Sequence, residues 1–223
     1  MKKILLMVVV AVMATSALAQ IPDNVKEVLR KCDEKMESYK SAAGVQIEGT
    51  VKMKISIISA SGPMKMYIKG NKFFANMSMN LIEDVGIRLD VGFDGVQKWE
   101  YRTVSGDDSR KKDTLRITRT NEAKNTFGPK SDYTKEYKKA KMKVDGRYYE
   151  ITFSGPLKKD VPKKAVVKID KQNYLYREYS VNEDVGAFTG KITMTITKIT
   201  KGCSDNFLKL DMSRYKNAVV VRK

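Results

Sequence analysis

Apolar residues near the start of the chain recur with a helical spacing. Between residues 22 and 39 they stand three or four positions apart, with charged residues between them: Val25, Val28, Leu29, Cys32 and Met36. This spacing places them on one stripe of an amphipathic helix. Pro22 and Asp23 suit the start of such a helix. The sequence therefore predicts one helix over residues 22–39.

After residue 50 the spacing changes to strict alternation of apolar and polar residues. A period of two is typical of strands that bury one face and expose the other. Asp94-Gly95 and Asp145-Gly146 add tight-turn signals between such strands. The predicted strands cover 51–57, 73–80, 87–93, 99–103, 114–119, 141–144, 147–153, 165–170, 174–181, 191–199 and 218–221, and Met64 and Met66 are also placed in a strand.

The order of these elements predicts the fold class, which is mainly β with helices (α+β). Roughly ten to twelve hairpin-linked strands after one helix predict a single large curved antiparallel sheet, with the helix laid on its concave face. An incomplete barrel with a helical lid satisfies both apolar surfaces. Residues 120–140 are polar and contain Gly128-Pro129, so we expect a long loop with room for one helical turn. Residues 20–223 form one domain in this interpretation.

The first 19 residues have the pattern of a secretory signal peptide. Lys2 and Lys3 precede an apolar run, and Ala17-Leu18-Ala19 forms an A-x-A cleavage site. The apolar run is short for a membrane span, although an uncleaved anchor is the alternative. We therefore expect cleavage after Ala19, a mature chain that starts at Gln20, and a periplasmic location.

The charge of the chain narrows the classes of partner. Its 43 Lys and Arg residues exceed its 26 Asp and Glu residues, giving a formal charge of +17. Such an excess favours anionic partners, and export argues against nucleic acid. A non-catalytic binding module that uses a basic surface for anionic glycolipid or other envelope components is one function that this composition leaves open.

Catalytic chemistry finds little support in the residues. The chain has no histidine, which excludes a Ser-His-Asp triad and removes the usual general base. The adjacent acids Asp107-Asp108 and Glu183-Asp184 lie in glycine-containing turns, where exposed carboxylates are ordinary. We therefore predict no enzyme activity, no catalytic residue, no metal site and no cofactor.

Two cysteines, Cys32 and Cys203, remain after the predicted cleavage. Export makes them a candidate disulfide that would tether the helix to the sheet. The loop closed by this bridge would stabilise the fold by roughly 5 kcal/mol in the chain-entropy account. Two buried free thiols are the alternative, because cysteine is among the most buried residue types.

Methionines and aromatic residues on the strands make an apolar cavity possible. Several of the 12 methionines lie in strands, and methionine suits cavities that accept varied apolar ligands. A dry core is the alternative, and Trp99 equally suits core packing or a cavity mouth. The predicted lining consists of Ile55, Ile57, Met66, Ile68, Phe73, Met77, Leu89, Val91, Trp99 and Tyr101.

Several motifs, in their order along the chain, resemble the LolA-like family of periplasmic outer-membrane lipoprotein carriers. After the signal peptide and helix come "GTVKMKI", "GPMKMYIKGNKFFANM" and "VGFDGVQKWEYR". The last contains the family's DG-x-x-x-W-x-Y pattern, while "VPKKAVVKID" and "NFLKLDMSRYKNAVVVRK" resemble its late segments. The similarity extends over nearly all of the mature chain.

The resemblance implies the incomplete barrel with a helical lid and a function in carrying lipoprotein or lipid acyl chains toward the outer membrane. It also implies an inner-membrane loading complex and an outer-membrane acceptor as partners. Carriers of the family often have an Arg-Pro pair, whose arginine holds the lid shut, where this chain has Lys69-Gly70. Lys69 is therefore the candidate lid latch. The oligomeric state stays open.

Overall fold

The computed structural model describes residues 21–39, 43–82, 85–105, 113–120, 133–159, 161–185 and 188–222. Helix α1 spans Asp23–Tyr39 and buries the predicted stripe of Val25, Val28, Leu29 and Cys32. Its outer charges pair within the helix, because Asp23 contacts Lys26 and Arg30 contacts both Glu27 and Glu34. The predicted helix is therefore confirmed almost to the residue.

The predicted strands are also present, and most are longer than their alternating patterns indicated. A short helix, α2 (Tyr133–Glu136), precedes β7, so part of the predicted 120–140 loop is regular structure. The strands are β1 (Val45–Ile55), β2 (Ile58–Lys69), β3 (Lys72–Ile82), β4 (Val85–Phe93), β5 (Gln97–Ser105), β6 (Thr114–Arg119), β7 (Tyr137–Asp145), β8 (Tyr148–Pro156), β9 (Lys164–Asp170), β10 (Tyr176–Val185), β11 (Phe188–Lys201) and β12 (Val219–Arg222).

The strands of the described residues form one curved sheet that does not close into a barrel. Its order is β12-β6-β5-β4-β3-β2-β1-β11-β10-β9-β8-β7. Two meanders, β1 to β6 and β7 to β11, join where β1 pairs with β11. All pairs are antiparallel except β12 with β6. The predicted class, a large antiparallel sheet forming an incomplete barrel with a helix on it, is confirmed.

Each face of the sheet carries its own apolar cluster. The larger cluster packs with α1, and we call this side of the sheet the helix face. The smaller cluster lies on the opposite face and is covered by the C-terminal segment, residues 203–222, which contains two short 3-10 helices. A bulge in β11 opposite Glu48 and Gly49 shifts the alternation, so that Ile199 and Ile196 both pack on the helix face.

Some predictions fall outside the described residues. The signal peptide, its cleavage site and Asp107-Asp108 belong to this group, and Glu183-Asp184 lie in β10 without described side chains. Within the described part of the chain, no helix has the length and apolar character needed to cross a membrane.

Candidate functional site

The structure brings six of the ten predicted cavity residues together on the helix face. They are Met66, Ile68, Phe73, Met77, Leu89 and Val91. Strand pairing explains the grouping, because Met66, Ala75 and Val91 are successive partners across β2, β3 and β4. Met77 likewise pairs with Leu89 on the next row. Alternation along each strand then turns all these side chains to the same side.

Methionines dominate this part of the helix face. Met64, Met66 and Met77 are almost fully buried, and Met79 and Met194 pack against the same helix-face cluster. We call these five residues the methionine patch. Met64 was missing from the predicted lining, although it pairs directly with Met77 across β2 and β3. The unbranched, polarizable methionine side chain adapts to differently shaped neighbours.

The rest of the helix-face cluster differs in composition. Beneath α1 it is built from Ile151, Phe153, Val167 and Ile169, together with Tyr133 of α2. The Tyr133 and Phe153 rings stack with their centroids 4.7 Å apart. Stiff β-branched residues and stacked rings give this half little freedom to repack. Adaptable side chains are therefore concentrated on β2, β3 and β11.

Helix α1 is joined to the sheet mainly by its apolar stripe. Its polar contacts with the sheet include a hydrogen bond that the Tyr176 hydroxyl donates to Asp33 at 3.5 Å. They also include two cation–π contacts: Lys31 lies 5.3 Å from the Tyr174 ring centre, and Lys201 lies 5.2 Å from the Tyr39 ring centre.

Two titratable groups beneath the helix, Cys32 and Tyr176, are uncharged at physiological pH. Burial raises the pKa of the Cys32 thiol and raises that of the neighbouring Tyr176 hydroxyl well above its ordinary value. No group of three or more potential metal-ligating side chains occurs among the described residues. Cys32 and Tyr176 therefore add no charge to this part of the helix face, whereas Lys98, Glu100 and Arg102 of β5 stand on the same face beside Phe93, Val91 and Leu89.

Two isoleucines of the predicted lining lie elsewhere. Ile57 is 95% exposed in the two-residue turn between β1 and β2, and Ile55, just before that turn, is half-buried. The alternation of β1 stops at Ile55 because the chain reverses there. Placing Ile57 in the cavity was therefore wrong.

Trp99 and Tyr101 were also assigned to the wrong side of the sheet. Trp99 pairs with Gly92, not with Val91, so it shares a face with Phe74 and lies on the opposite face. Its ring lies over Gly92, where an added Cβ would be 2.1 Å from the indole. Trp99 is a core residue beneath the C-terminal segment, and the glycine provides the space for it.

The predicted disulfide is wrong, because both cysteines are free. Cys32 belongs to the helix-face cluster, whereas Cys203 packs against the cluster on the opposite face. The sheet itself separates the two sulfurs. Cys203 instead lies near the backbone of Gly44 and Ile68. Its thiol donates to the Ile68 carbonyl at 3.7 Å.

Lys69 does not reach the helix either. Its ammonium group donates to Asp205 of the C-terminal segment at 2.8 Å. This contact lowers the pKa of Asp205. The predicted latch on α1 is therefore corrected to a tie that holds the C-terminal segment.

Two open grooves flank these clusters. One, of about 600 Å³, lies between the outer side of α1 and Thr134 of α2 and is largely lined by charged residues. The other, of about 350 Å³, lies on the opposite face between Tyr67, Phe74, Phe207 and Arg214. Sequence analysis missed the second groove because the C-terminal segment forms one wall. Neither lining offers an acyl chain the uncharged surface of the methionine patch.

No protein-family model and no curated protein sequence matches the chain. Among solved structures, it is similar to an uncharacterized conserved protein from Thermus thermophilus, with 11% identity and a TM-score of 0.51. That match covers 90% of this chain and 99% of the other. At this identity the likeness concerns the fold alone, and it supports the open antiparallel architecture.

Two further solved structures are similar at lower TM-scores. A LolA superfamily protein from Nitrosomonas europaea is 8% identical with a TM-score of 0.31, covering 80% of this chain and 97% of that one. The Mycobacterium tuberculosis lipoprotein LppX is 14% identical with a TM-score of 0.43, with the same coverage of 80% and 97%.

Proposed function

We propose that this protein is a non-catalytic periplasmic carrier that binds the acyl chains of lipoproteins, or of another lipid, on the methionine patch of the helix face. The observation that carries the proposal is the patch itself. Three buried methionines lie on adjacent strands, in a helix-face cluster whose titratable groups Cys32 and Tyr176 are neutral. Methionine side chains can move to admit an apolar chain and close again when it leaves.

The energetics favour a shielded site for such a cargo. Each methylene group kept out of water contributes about 0.8 kcal/mol, so a carrier has to cover most of an acyl chain. In this proposal α1 moves away from the sheet to admit the chain. Its apolar stripe and its contacts with Tyr174, Tyr176 and Lys201 separate in this movement. An inner-membrane loading complex and an outer-membrane acceptor complete the proposed cycle.

A direct test measures binding of a dansyl-labelled fatty acid to the delipidated protein. Met77→Gln keeps the side-chain length but puts an amide beside the acyl chain, so we expect roughly tenfold weaker binding. Met212→Gln is the matched control, because Met212 is exposed on the C-terminal segment. Equal affinity of the two folded variants would contradict the proposed site.

Native mass spectrometry of freshly purified protein provides an independent measurement. We expect co-purified lipid or acylated peptide in the wild type and less of it in Met77→Gln. Fluorescence of Trp99 is not a suitable reporter, because that residue lies on the opposite face. Protein that emerges without lipid and does not bind the dansyl probe would leave the helix face as a dry core.

A further inference from the structure

The polar part of the opposite face carries two adjacent rows of lysines. In one row Lys54 is the direct partner of Lys191, and further partners along the row are Asn182, Lys164, Ser154 and Lys139. The next row begins with Lys52 and ends with Lys141. We call Lys52, Lys54, Lys139, Lys141, Lys164 and Lys191 the lysine rows, and all six are exposed.

A third row on the same face shows how these charges could have been balanced. There Lys143 contacts Glu150 at 3.1 Å, and Lys168 lies 3.8 Å from Glu150 and 3.6 Å from Glu178. Where that row has Glu150 and Glu178, the lysine rows have hydroxyl and amide side chains, namely Thr152, Ser154, Ser180 and Asn182. Like charges directly opposite each other, as at Lys54 and Lys191, destabilise a sheet. Among the described residues, the two rows therefore keep a positive charge that no carboxylate within them offsets.

An exposed apolar tip adjoins the rows. The β1–β2 turn consists of Ser56 and Ile57, and Ile57 and Ile58 are 95% and 47% exposed. Ser56 has a φ of 52°, a left-handed conformation that glycine or asparagine adopts more readily. An isoleucine at a turn that polar residues usually occupy has no role in binding a soluble polyanion. It does suit the apolar interior of a lipid interface.

We propose that the lysine rows and the Ile57 tip form a docking surface for a bilayer that contains anionic phospholipid. Lysines act as mobile point charges, which suits a fluid anionic surface better than bidentate recognition of one group. Ile57 enters the acyl region beside the head groups that the lysines attract. This surface lies on the side of the sheet away from α1, so the proposal does not depend on acyl-chain binding by the methionine patch.

Flotation with vesicles of phosphatidylcholine alone and of phosphatidylcholine with phosphatidylglycerol tests the proposal. We expect binding only to the anionic vesicles, weakening as salt shortens the Debye length. The triple variant Lys54→Gln, Lys164→Gln, Lys191→Gln should bind on the order of a hundredfold more weakly. The control Lys35→Gln, Lys209→Gln, Lys216→Gln removes the same net charge elsewhere and should bind nearly as well as the wild type. Equal loss in both would overturn the docking surface.

Two single substitutions distinguish a lipid surface from a soluble polyanion site and from a purely structural role of the lysines. Ile57→Ser should weaken vesicle binding without changing its salt dependence, and wild-type binding by this variant would overturn the lipid assignment. Lys191→Glu creates an opposite-charge partner for Lys54, so it should raise the melting temperature by roughly 1–3 °C while vesicle binding falls. A fall in both would assign the rows a structural role. The dansyl fatty acid should bind all these variants normally, which keeps this test distinct from that of the carrier function.

Discussion

On β2 and β3, alternate residues belong to the methionine patch and to the smaller cluster on the opposite face, which we call the aromatic cluster. The two differ in character. Met66 and Tyr67 are neighbours in β2 and belong to different clusters. On one side unbranched methionine side chains fill the core. On the other side aromatic rings pack against the C-terminal segment, which is held by ring stacking and by the ion pair of Lys69 with Asp205. The difference separates a surface that can open from one that stays closed.

Geometry supports this contrast. Phe207 of the C-terminal segment stacks on Tyr67 with ring centres 4.2 Å apart, and Tyr215 lies 4.9 Å from Tyr101. Below these rings, Asp90 is fully buried and accepts hydrogen bonds from Asn76 and Arg88. Such a hydrogen-bond network holds the C-terminal segment and the strands beneath it in one arrangement. Beneath α1 the Tyr176 hydroxyl donates to Asp33 at the longer distance of 3.5 Å.

The largest expected effect comes from removing the centre of the aromatic cluster. Trp99→Ala should lower the free energy of unfolding by about 3–5 kcal/mol, because Trp99 is 1% exposed and its loss leaves a large cavity. Urea denaturation measures this change. Binding of the dansyl fatty acid should be unchanged in conditions where the variant is folded.

The matched truncation on the helix face is Met66→Ala, for which we expect a loss of about 2–5 kcal/mol. Here an apolar ligand should restore part of the stability, because it can occupy the space that the side chain leaves. Equal rescue of Met66→Ala and Trp99→Ala by the fatty acid would contradict the distinction between the two faces.

A smaller loss is expected from Gly92→Ala. The added Cβ would collide with the Trp99 ring at 2.1 Å, and overpacking of this kind costs about 1–3 kcal/mol. Near-ultraviolet circular dichroism should report a changed environment of Trp99. The double variant Gly92→Ala, Trp99→Ala should lose less than the sum of the two single changes. Strict additivity would show that the two residues do not share one packing site.

A conservative change on the helix face should alter ligand choice more than stability. Met77→Leu nearly conserves volume and should cost less than about 1.5 kcal/mol. Because leucine is branched and less adaptable than methionine, we expect the affinity for fatty acids of different length to become more selective. Titration with a series of chain lengths measures this, and an unchanged profile would argue against adaptability as the function of the patch.

The smallest expected effect is the pH dependence of the tie at Lys69. The hydrogen bond from Lys69 lowers the pKa of Asp205, so its contribution is fully present above the ordinary aspartate pKa of about 3.9 and is lost as pH falls through the lower folded value. Stability measured by urea between pH 6 and pH 3 should therefore fall less in Asp205→Asn than in the wild type. An identical slope in both proteins would show that the tie contributes nothing.

Much of the fold follows from local patterns. The stripe of α1 and the period-two alternation of the strands depend on residues close together in sequence, so both were predicted correctly. The two Asp-Gly turns likewise lie between consecutive strands, β4 to β5 and β7 to β8. Six residues of the predicted lining came together for the same reason, because β2, β3 and β4 form a simple meander.

The sequence by itself therefore determined the period of each element. Only the tertiary structure decided on which face of the sheet each set of alternating apolar residues lies. Trp99 alternates as regularly as Val91, but its side depends on the pairing with Gly92 and on a cover that arrives about a hundred residues later. The separation of Cys32 from Cys203 depends on the same fact. Alternation is symmetric with respect to the two faces of a sheet, and only long-range contacts with α1 and the C-terminal segment distinguish them.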